Sequence, residues 1–298
     1  MHDTARSNGK LFFDTYVSRL RNVTVVDVGS QDVGGSLREV CPADARYIGV
    51  DVEKAKGVDI VVTDPYSLPF EDGTVDVVVS SSCFEHSEMF WLVIGEIFRV
   101  LRPGGLFYLN APSNGVVHRY PVDCWRFYPD SGRALVSWVR RCGWSATLLE
   151  SYISHQQQQM FNDFVAVFLK DESRLEEHPC RILSSHAAFD NGFIHGKDEL
   201  INATAIPEDW RLSDHLPRAV QLLLHLESQM AQGIANDVTA ALQGLFKTPS
   251  ADARWQGEDA SRELDRLGNR LSAWAREFCT WEAELRKWYR AGRPVSGG

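Results

Sequence analysis

The sequence predicts an α/β domain in which a twisted, mostly parallel sheet is wrapped by helices, and three observations carry that expectation. Between Val23 and Leu169, short β-branched runs alternate with amphipathic stretches, the succession of strands and crossover helices that such sheets require. The first five runs are almost continuously apolar, as strands covered on both faces are. The first run then leads into Gly29-Ser30-Gln31-Asp32-Val33-Gly34-Gly35, a glycine-bearing turn of the kind that lets backbone approach a ligand at the switch point of an open sheet.

Taken in order, the strands fall at 23–29, 47–52, 59–62, 75–80, 105–111, 146–153 and 164–170. Helices fit at 36–40, at 90–101 before the breaker Arg102-Pro103-Gly104-Gly105, and at 129–142 before Gly143. This first domain spans 1–170. Residues 171–216 show no clear period and read as an irregular linker or lid. The remainder, 217–298, reads as an α-helical extension in which Ala260, Leu264, Leu267, Leu271, Trp274, Phe278, Trp281, Leu285 and Trp288 form a heptad seam. The seam either closes a helical hairpin within the chain or makes a coiled coil with a second copy, which would be a homodimer.

The chain's 298 residues, 44% of them apolar, suffice for a full core. A formal charge of −9 opposes a broad phosphate-binding face, so nucleic acid is not an expected partner. No apolar run approaches the roughly 20 residues of a membrane span, and the opening residues lack the apolar stretch of a signal peptide. The expected address is cytoplasmic. The six cysteines are scattered without a C-x-x-C pair and read as reduced thiols.

Acidic residues close two further strands. Asp51, at the end of the second, offers a carboxylate that can accept hydrogen bonds from both hydroxyls of a ribose. Asp64, followed by Pro65 after the third, offers an acceptor for an adenine amino group. Either acid alone also suits a helix cap or turn. Gly29 and Gly34 lie too far apart for G-x-G-x-x-G, and no G-x-x-x-x-G-K-[ST] loop is present, so diphosphate binding is not encoded.

Over Asn22 to Lys170 the chain resembles the class I S-adenosylmethionine-dependent methyltransferases. Asp27-Val28-Gly29-Ser30 is similar to the family's first motif, and Asp51 and Asp64 to its ribose and adenine contacts. Phe70 to Val78, then Phe84-Glu85-His86 with Glu96 to Gly105, resemble its run through strand four and into strand five. The resemblance implies a Rossmann-like seven-stranded methyltransferase sheet in the order 3-2-1-4-5-7-6, with strand seven antiparallel. It also implies S-adenosylmethionine as cofactor, held by Asp27, Gly29, Ser30, Gln31, Gly35, Asp51, Val52, Asp64, Pro65 and Ser81. GSQDVGG departs from the commoner D-x-G-x-G-x-G form and leaves open which of Gln31, Gly34 and Gly35 faces the methionine end.

Methyl transfer from a sulfonium is an in-line displacement that depends on positioning, and a hydroxyl acceptor also needs a base. His86, His118 and Glu85 are the candidates for that catalytic role, or else serve as ordinary hydrogen-bonding residues of a turn and a lid. Glu85-His86 resembles half of the E-x-x-E-H segment that holds a cation in quinone-type O-methyltransferases, but Ser82 replaces the first acid, and no metal is expected. The segment 118–130 is dense in aromatics, arginine and proline; Tyr120, Asp123, Trp125, Arg126 and Tyr128 are candidate acceptor-binding residues, or parts of a rigid turn. The block 80–130 resembles methyltransferases of glycan and polysaccharide biosynthesis, which implies a small-molecule or glycan acceptor and O-methylation of a saccharide. The alternative is a non-catalytic module on the same fold that recruits partners through its C-terminal helices.

Overall fold

The computed structural model describes residues 2–155 and 161–205, and beyond them only positions 232, 233, 236, 265, 266 and 269. The chain divides into two units, Met1–Asp209 with Ser296–Gly298, and Trp210–Val295. The heptad seam and helical hairpin expected in 217–298 lie outside the described residues. All the elements named below belong to the first unit.

Helix α1 (Asp3–Phe12) leads through a π-helical turn (Phe13–Val17) into β1 (Thr24–Val28). A 3₁₀ turn (Leu37–Val40) precedes β2 (Arg46–Asp51), followed by the short β3 (Ile60–Val61) and by β4 (Val75–Ser81). Then come a 3₁₀ turn (Phe84–His86), α2 (Phe90–Val100), β5 (Leu101–Pro112), α3 (Ser131–Arg141), β6 (Ala146–Ser154), β7 (Asp163–Lys170) and β8 (Phe189–Ile194). The strands form one sheet in the order β3-β2-β1-β4-β5-β7-β6-β8. β7 runs antiparallel to both β5 and β6, and β8 antiparallel to β6.

Period two along each strand sends alternate side chains to opposite cores. Val26, Val28, Val78, Phe107, Leu109 and Phe168 join the core roofed by α2 and α3. Val25, Val77, Val79, Leu106, Tyr108 and Val167 join a second core with Phe12, Phe13, Tyr16, Leu37 and Leu183. Both faces of the central strands are therefore dry, which is why those strands read as unbroken apolar runs.

Four features depart from the sequence expectation. α1 has no counterpart in it, although Ala5, Phe12, Phe13, Tyr16 and Val17 bury a helical face; the helix covers a sheet face that the crossover at 36–40, a single 3₁₀ turn rather than an α-helix, leaves open. The turn packs tightly on α1, since a Cβ added at Gly9 would lie 2.2 Å from Leu37 Cδ2. β5 begins at Leu101, directly after α2, and the breaker Arg102 to Gly105 sits within the strand, where the pairing register with β4 shifts. Among the described residues the sheet also gains a strand beyond the seven expected, because Phe189–Ile194 pairs with β6.

A buried carboxylate joins these late and early segments. Glu150 of β6 is 0% exposed. It accepts hydrogen bonds from Tyr16 Oη at 2.5 Å, Ile182 N at 2.7 Å and Leu183 N at 3.0 Å. Burial raises its pKa, opposed by these donors. Removing one donor leaves the carboxylate under-satisfied, so Tyr16→Phe is expected to destabilise the protein by about 1 to 3 kcal/mol. Denaturant unfolding that places the variant level with wild type would show the bond to be dispensable.

Candidate active site

The carboxyl ends of β1, β2 and β4 converge where the backbone has no room for side chains. Gly29 and Ser30 both donate their N–H to Val50 O, at 3.0 and 3.2 Å. Gly29 has φ +83°, and a Cβ there would sit 2.4 Å from Cys83 Sγ in the segment after β4. At Gly49 a Cβ would lie 2.1 Å from Gly57 O and 2.6 Å from Ser30 Oγ. Glycine is thus imposed at Gly29 twice over, by conformation and by contact.

This clamp aims the first loop at Asp51. Its carboxylate accepts from Gln31 N at 3.0 Å and from Val52 N at 2.7 Å, which orients it while the side chain stays half-buried. Gly34 and Gly35 both adopt positive φ, and Gly35 N donates to Asp32 Oδ1 at 2.7 Å, so the loop closes on itself. Lys56 pairs with Asp32 at 2.5 Å and braces it from outside. β3 lies beside β2, with Asp51 opposite Val61, so Asp64 and Pro65 follow on the neighbouring strand end. Asp64 is exposed and accepts from Tyr66 N at 2.9 Å, an Asx turn that fixes one of its oxygens.

Asp27 points elsewhere. It shares the strand face of Val25, is 4% exposed, and accepts from Tyr47 Oη at 2.6 Å. Tyr47 is itself covered by Arg38, 4.7 Å above its ring. Burial pushes the Asp27 pKa up to about 7, against the lowering effect of the Tyr47 hydrogen bond.

Buried polar atoms collect along this edge. Among the described residues the hydroxyls of Ser30, Ser81 and Ser82, the Asn110 Nδ2 and both Glu85 oxygens are buried without a hydrogen-bond partner. Ser82 adopts φ +53°. Native interiors rarely leave such groups unpaired, and the Ser30, Ser81, Ser82 and Asn110 groups, gathered around the ends of β1, β4 and β5, are what a polar ligand laid across the sheet edge would satisfy.

The segment beyond β5 forms the opposite wall. Asp123 is the hub: its carboxylate accepts from Arg126 at 2.5 and 2.8 Å and from His118 N at 2.7 Å. The Arg126 guanidinium holds the Asp123 pKa well below the usual carboxylate range. Arg126 also donates to Val116 O and Trp125 O, at 2.9 and 2.8 Å. Cys124 N and Trp125 N donate to Glu85 O, Trp125 Nε1 to Ser87 O, and His86 Nδ1 meets Val122 O, which stitches the loop to the 84–87 turn. Asp123 and Arg126, expected to meet an acceptor, are engaged with each other and with this wall. Tyr120 and Tyr128 are 54% and 53% exposed. Trp125 lines an aromatic cavity of about 340 Å³ with Phe90, Trp91, Phe127 and Trp138.

Glu85, His86 and His118 come together behind that wall. Glu85 is 1% exposed, and its Oε1 lies 3.7 Å from His86 Nε2. The two imidazole rings meet edge to face with centroids 4.9 Å apart. Burial pushes the Glu85 pKa up to about 8 and the His86 pKa down. His118 also packs on Phe161 at 5.0 Å.

The sequence reading missed the support of this edge by the chain's beginning. Asn8 donates to Asn110 Oδ1 and Ser154 Oγ, at 3.0 and 3.1 Å, and His2 Nε2 meets Asp163 Oδ2 at 2.8 Å. Polar Thr4 and Asn8 on the buried face of α1 were the available signal.

Residues 15–109 match the family model described as a methyltransferase domain. Among curated proteins, an uncharacterized methyltransferase of Mycolicibacterium gilvum is 32% identical over 119 residues, covering 36% of this chain and 46% of that protein. The phthiotriol/phenolphthiotriol dimycocerosates methyltransferase of Mycobacterium tuberculosis is 33% identical over 127 residues, covering 35% and 46%. The chain spans about half the length of these relatives. Among solved structures, a Burkholderia thailandensis 1,6-didemethyltoxoflavin-N1-methyltransferase aligns with 16% identity over 57% of this chain and 80% of that one, with a TM-score of 0.45. Residues 15–109 are thus similar to methyltransferase domains, and the sheet order over β1 to β7 is the one that the resemblance to class I methyltransferases implies. No helix among the described residues is long and apolar enough to cross a membrane.

The raised Asp27 pKa sets a pH dependence. The folded protein keeps this proton up to about pH 7, while an unfolded aspartate loses it near 4. The native state then binds more protons in that window, so stability declines as pH rises through it and levels off above. Asp27→Asn removes this slope. Urea midpoints at about pH 5 and about pH 8 should therefore show wild type losing roughly 1 to 4 kcal/mol relative to the variant, and parallel behaviour would refute the assignment.

Proposed function

We propose that this chain transfers a methyl group from S-adenosylmethionine to an oxygen of a small-molecule or glycan acceptor. The observation that carries the reading is the Asp51 carboxylate, aimed by Gln31 N and Val52 N at the tip of β2 beside a loop that glycine alone permits. In this reading Asp51 holds the ribose diol, Asp64 and Pro65 border the adenine, and Gly29, Ser30, Gln31, Gly35, Val52 and Ser81 line the path to the sulfonium. The orphan hydroxyls of Ser30 and Ser81 fit that assignment. Asp27 acts at one remove, fixing Tyr47 behind β1 and β2. When bound, S-adenosylmethionine supplies an electrophilic methyl carbon that needs a nucleophile in line.

The chain's own contribution is orientation and proton handling. The loop pinned by Asp123 and Arg126 keeps His118 facing His86 and Glu85, and this cluster receives the acceptor oxygen and its proton. A saccharide acceptor is supported by the exposed rings of Tyr120 and Tyr128, which can stack on sugar faces, and by the polar character of the cluster. The name of the Mycobacterium tuberculosis relative gives phthiotriol and phenolphthiotriol dimycocerosates as what that protein methylates, so hydroxylated acceptors of that size belong in any screen. Pairing of two copies through the heptad seam of 260–288, and a cytoplasmic address, complete the reading.

Asp51→Ala unpairs the diol and is expected to weaken S-adenosylhomocysteine binding by about 1 to 3 kcal/mol in calorimetry. Unchanged affinity would remove the ribose assignment. Label transfer from methyl-labelled cofactor to a panel of saccharide and polyol acceptors tests the activity itself, and binding without turnover on every member of the panel would favour a scaffold.

A further inference from the structure

We propose that Glu85, His86 and His118 form a site for one divalent first-row transition cation. Each offers a ligand atom, and these atoms lie within 4.8 Å of one another. Two imidazole nitrogens and one carboxylate oxygen are a donor set that suits Zn²⁺, Mn²⁺ or Fe²⁺ and leaves coordination positions open. The third donor comes from the loop beyond β5, so the set does not depend on an acid at Ser82.

Three features independent of proximity support the site. First, Glu85 is 1% exposed and neither carboxylate oxygen has a hydrogen-bond donor, although Arg126 and several backbone N–H groups serve acceptors nearby. A buried carboxyl group without a hydrogen-bond partner is costly, and a cation in the space it faces would relieve that cost. Second, both imidazoles are held as metal-binding imidazoles are. His86 places Nδ1 on Val122 O, which turns Nε2 toward Glu85. His118 places Nδ1 3.3 Å from Val116 O and 3.4 Å from Asp123 Oδ2. A carbonyl or carboxylate on one ring nitrogen fixes the tautomer that frees the other for a metal. Third, Asp123 is itself locked by Arg126, so the outer support is rigid.

Bonds of about 2.0 to 2.1 Å in a tetrahedron place ligand atoms about 3.3 Å apart. The Glu85 to His86 distance of 3.7 Å is close to that, and all three ligand atoms lie within 4.8 Å of one another. An open coordination position is available to an acceptor oxygen. That last role rests on the methyl-transfer reading; cation binding does not.

The test uses the full chain, stripped with chelator and titrated with Zn²⁺ against a chromophoric indicator, then with Co²⁺ followed by its visible absorption. One equivalent should bind, with a Co²⁺ spectrum of nitrogen and oxygen ligation and no thiolate charge-transfer band. Glu85→Gln and His118→Ala should each weaken binding at least tenfold, while thermal midpoint and S-adenosylhomocysteine affinity stay near wild type, which separates ligand loss from misfolding. Absence of stoichiometric binding, a thiolate signature, or affinity indifferent to both substitutions overturns the site. Failure of methyl transfer with cation binding intact counts against the catalytic reading alone, and cofactor binding without a cation counts against the site alone.

Discussion

The arrangement of the whole edge depends on one steric constraint: at the carboxyl ends of β1, β2 and β4, main chains approach so closely that Cβ atoms must be absent. Gly29 against Cys83 and Gly49 against Ser30 and Gly57 O are the two contacts that enforce it. They bring Gly29 N and Ser30 N onto Val50 O, and that pairing in turn delivers Gln31 N to Asp51. The site's acid is oriented by backbone, so its geometry is inherited from sheet register rather than from side-chain packing. An alanine at either glycine would have to move a strand end, and with it every group the edge presents.

Much of this was legible in the residues. The positions of the first seven strands along the chain follow from the alternation of apolar runs and helical stretches, because dry strands and amphipathic helices leave different periodicities, while their order in the sheet rested on the resemblance to class I methyltransferases. The glycine turn and Asp51 were recognisable because conformational need and hydrogen-bonding capacity are local properties of those residues. Glu85, His86 and His118 were visible singly, as polar residues flanking strands.

What escaped lies in long-range pairing. α1 is amphipathic, but Thr4 and Asn8 interrupt its buried face, and its role appears only when Asn8 reaches Asn110 and Ser154. β8 carries Asp190, Asn191 and Gly192 in its middle, residues of low strand propensity; Asp190 pairs with Ile153 of β6, while Asn191 and Gly192 donate to Asn202 O and Ile201 O. Asp123 and Arg126, three positions apart, read as groups available to an acceptor because nothing in their spacing reveals that they bond to each other and to the surrounding backbone. The same holds for the departure of Asp27 from the ligand side: its strand parity was calculable, but the hydroxyl waiting on that side belongs to Tyr47, on the next strand.

The carboxylate of Glu150 has a consequence for how the chain is assembled. Its donors come from before the first strand and from the turn that precedes the last. During synthesis, β6 leaves the ribosome with Tyr16 already made and with Ile182 and Leu183 still to come. Until they arrive, an anion destined for the interior has only part of its complement. The closing of this second core is thereby tied to completion of the segment beyond β7, and a chain cut short at the end of the central strands would leave this carboxyl group short of donors where its apolar face ought to seal.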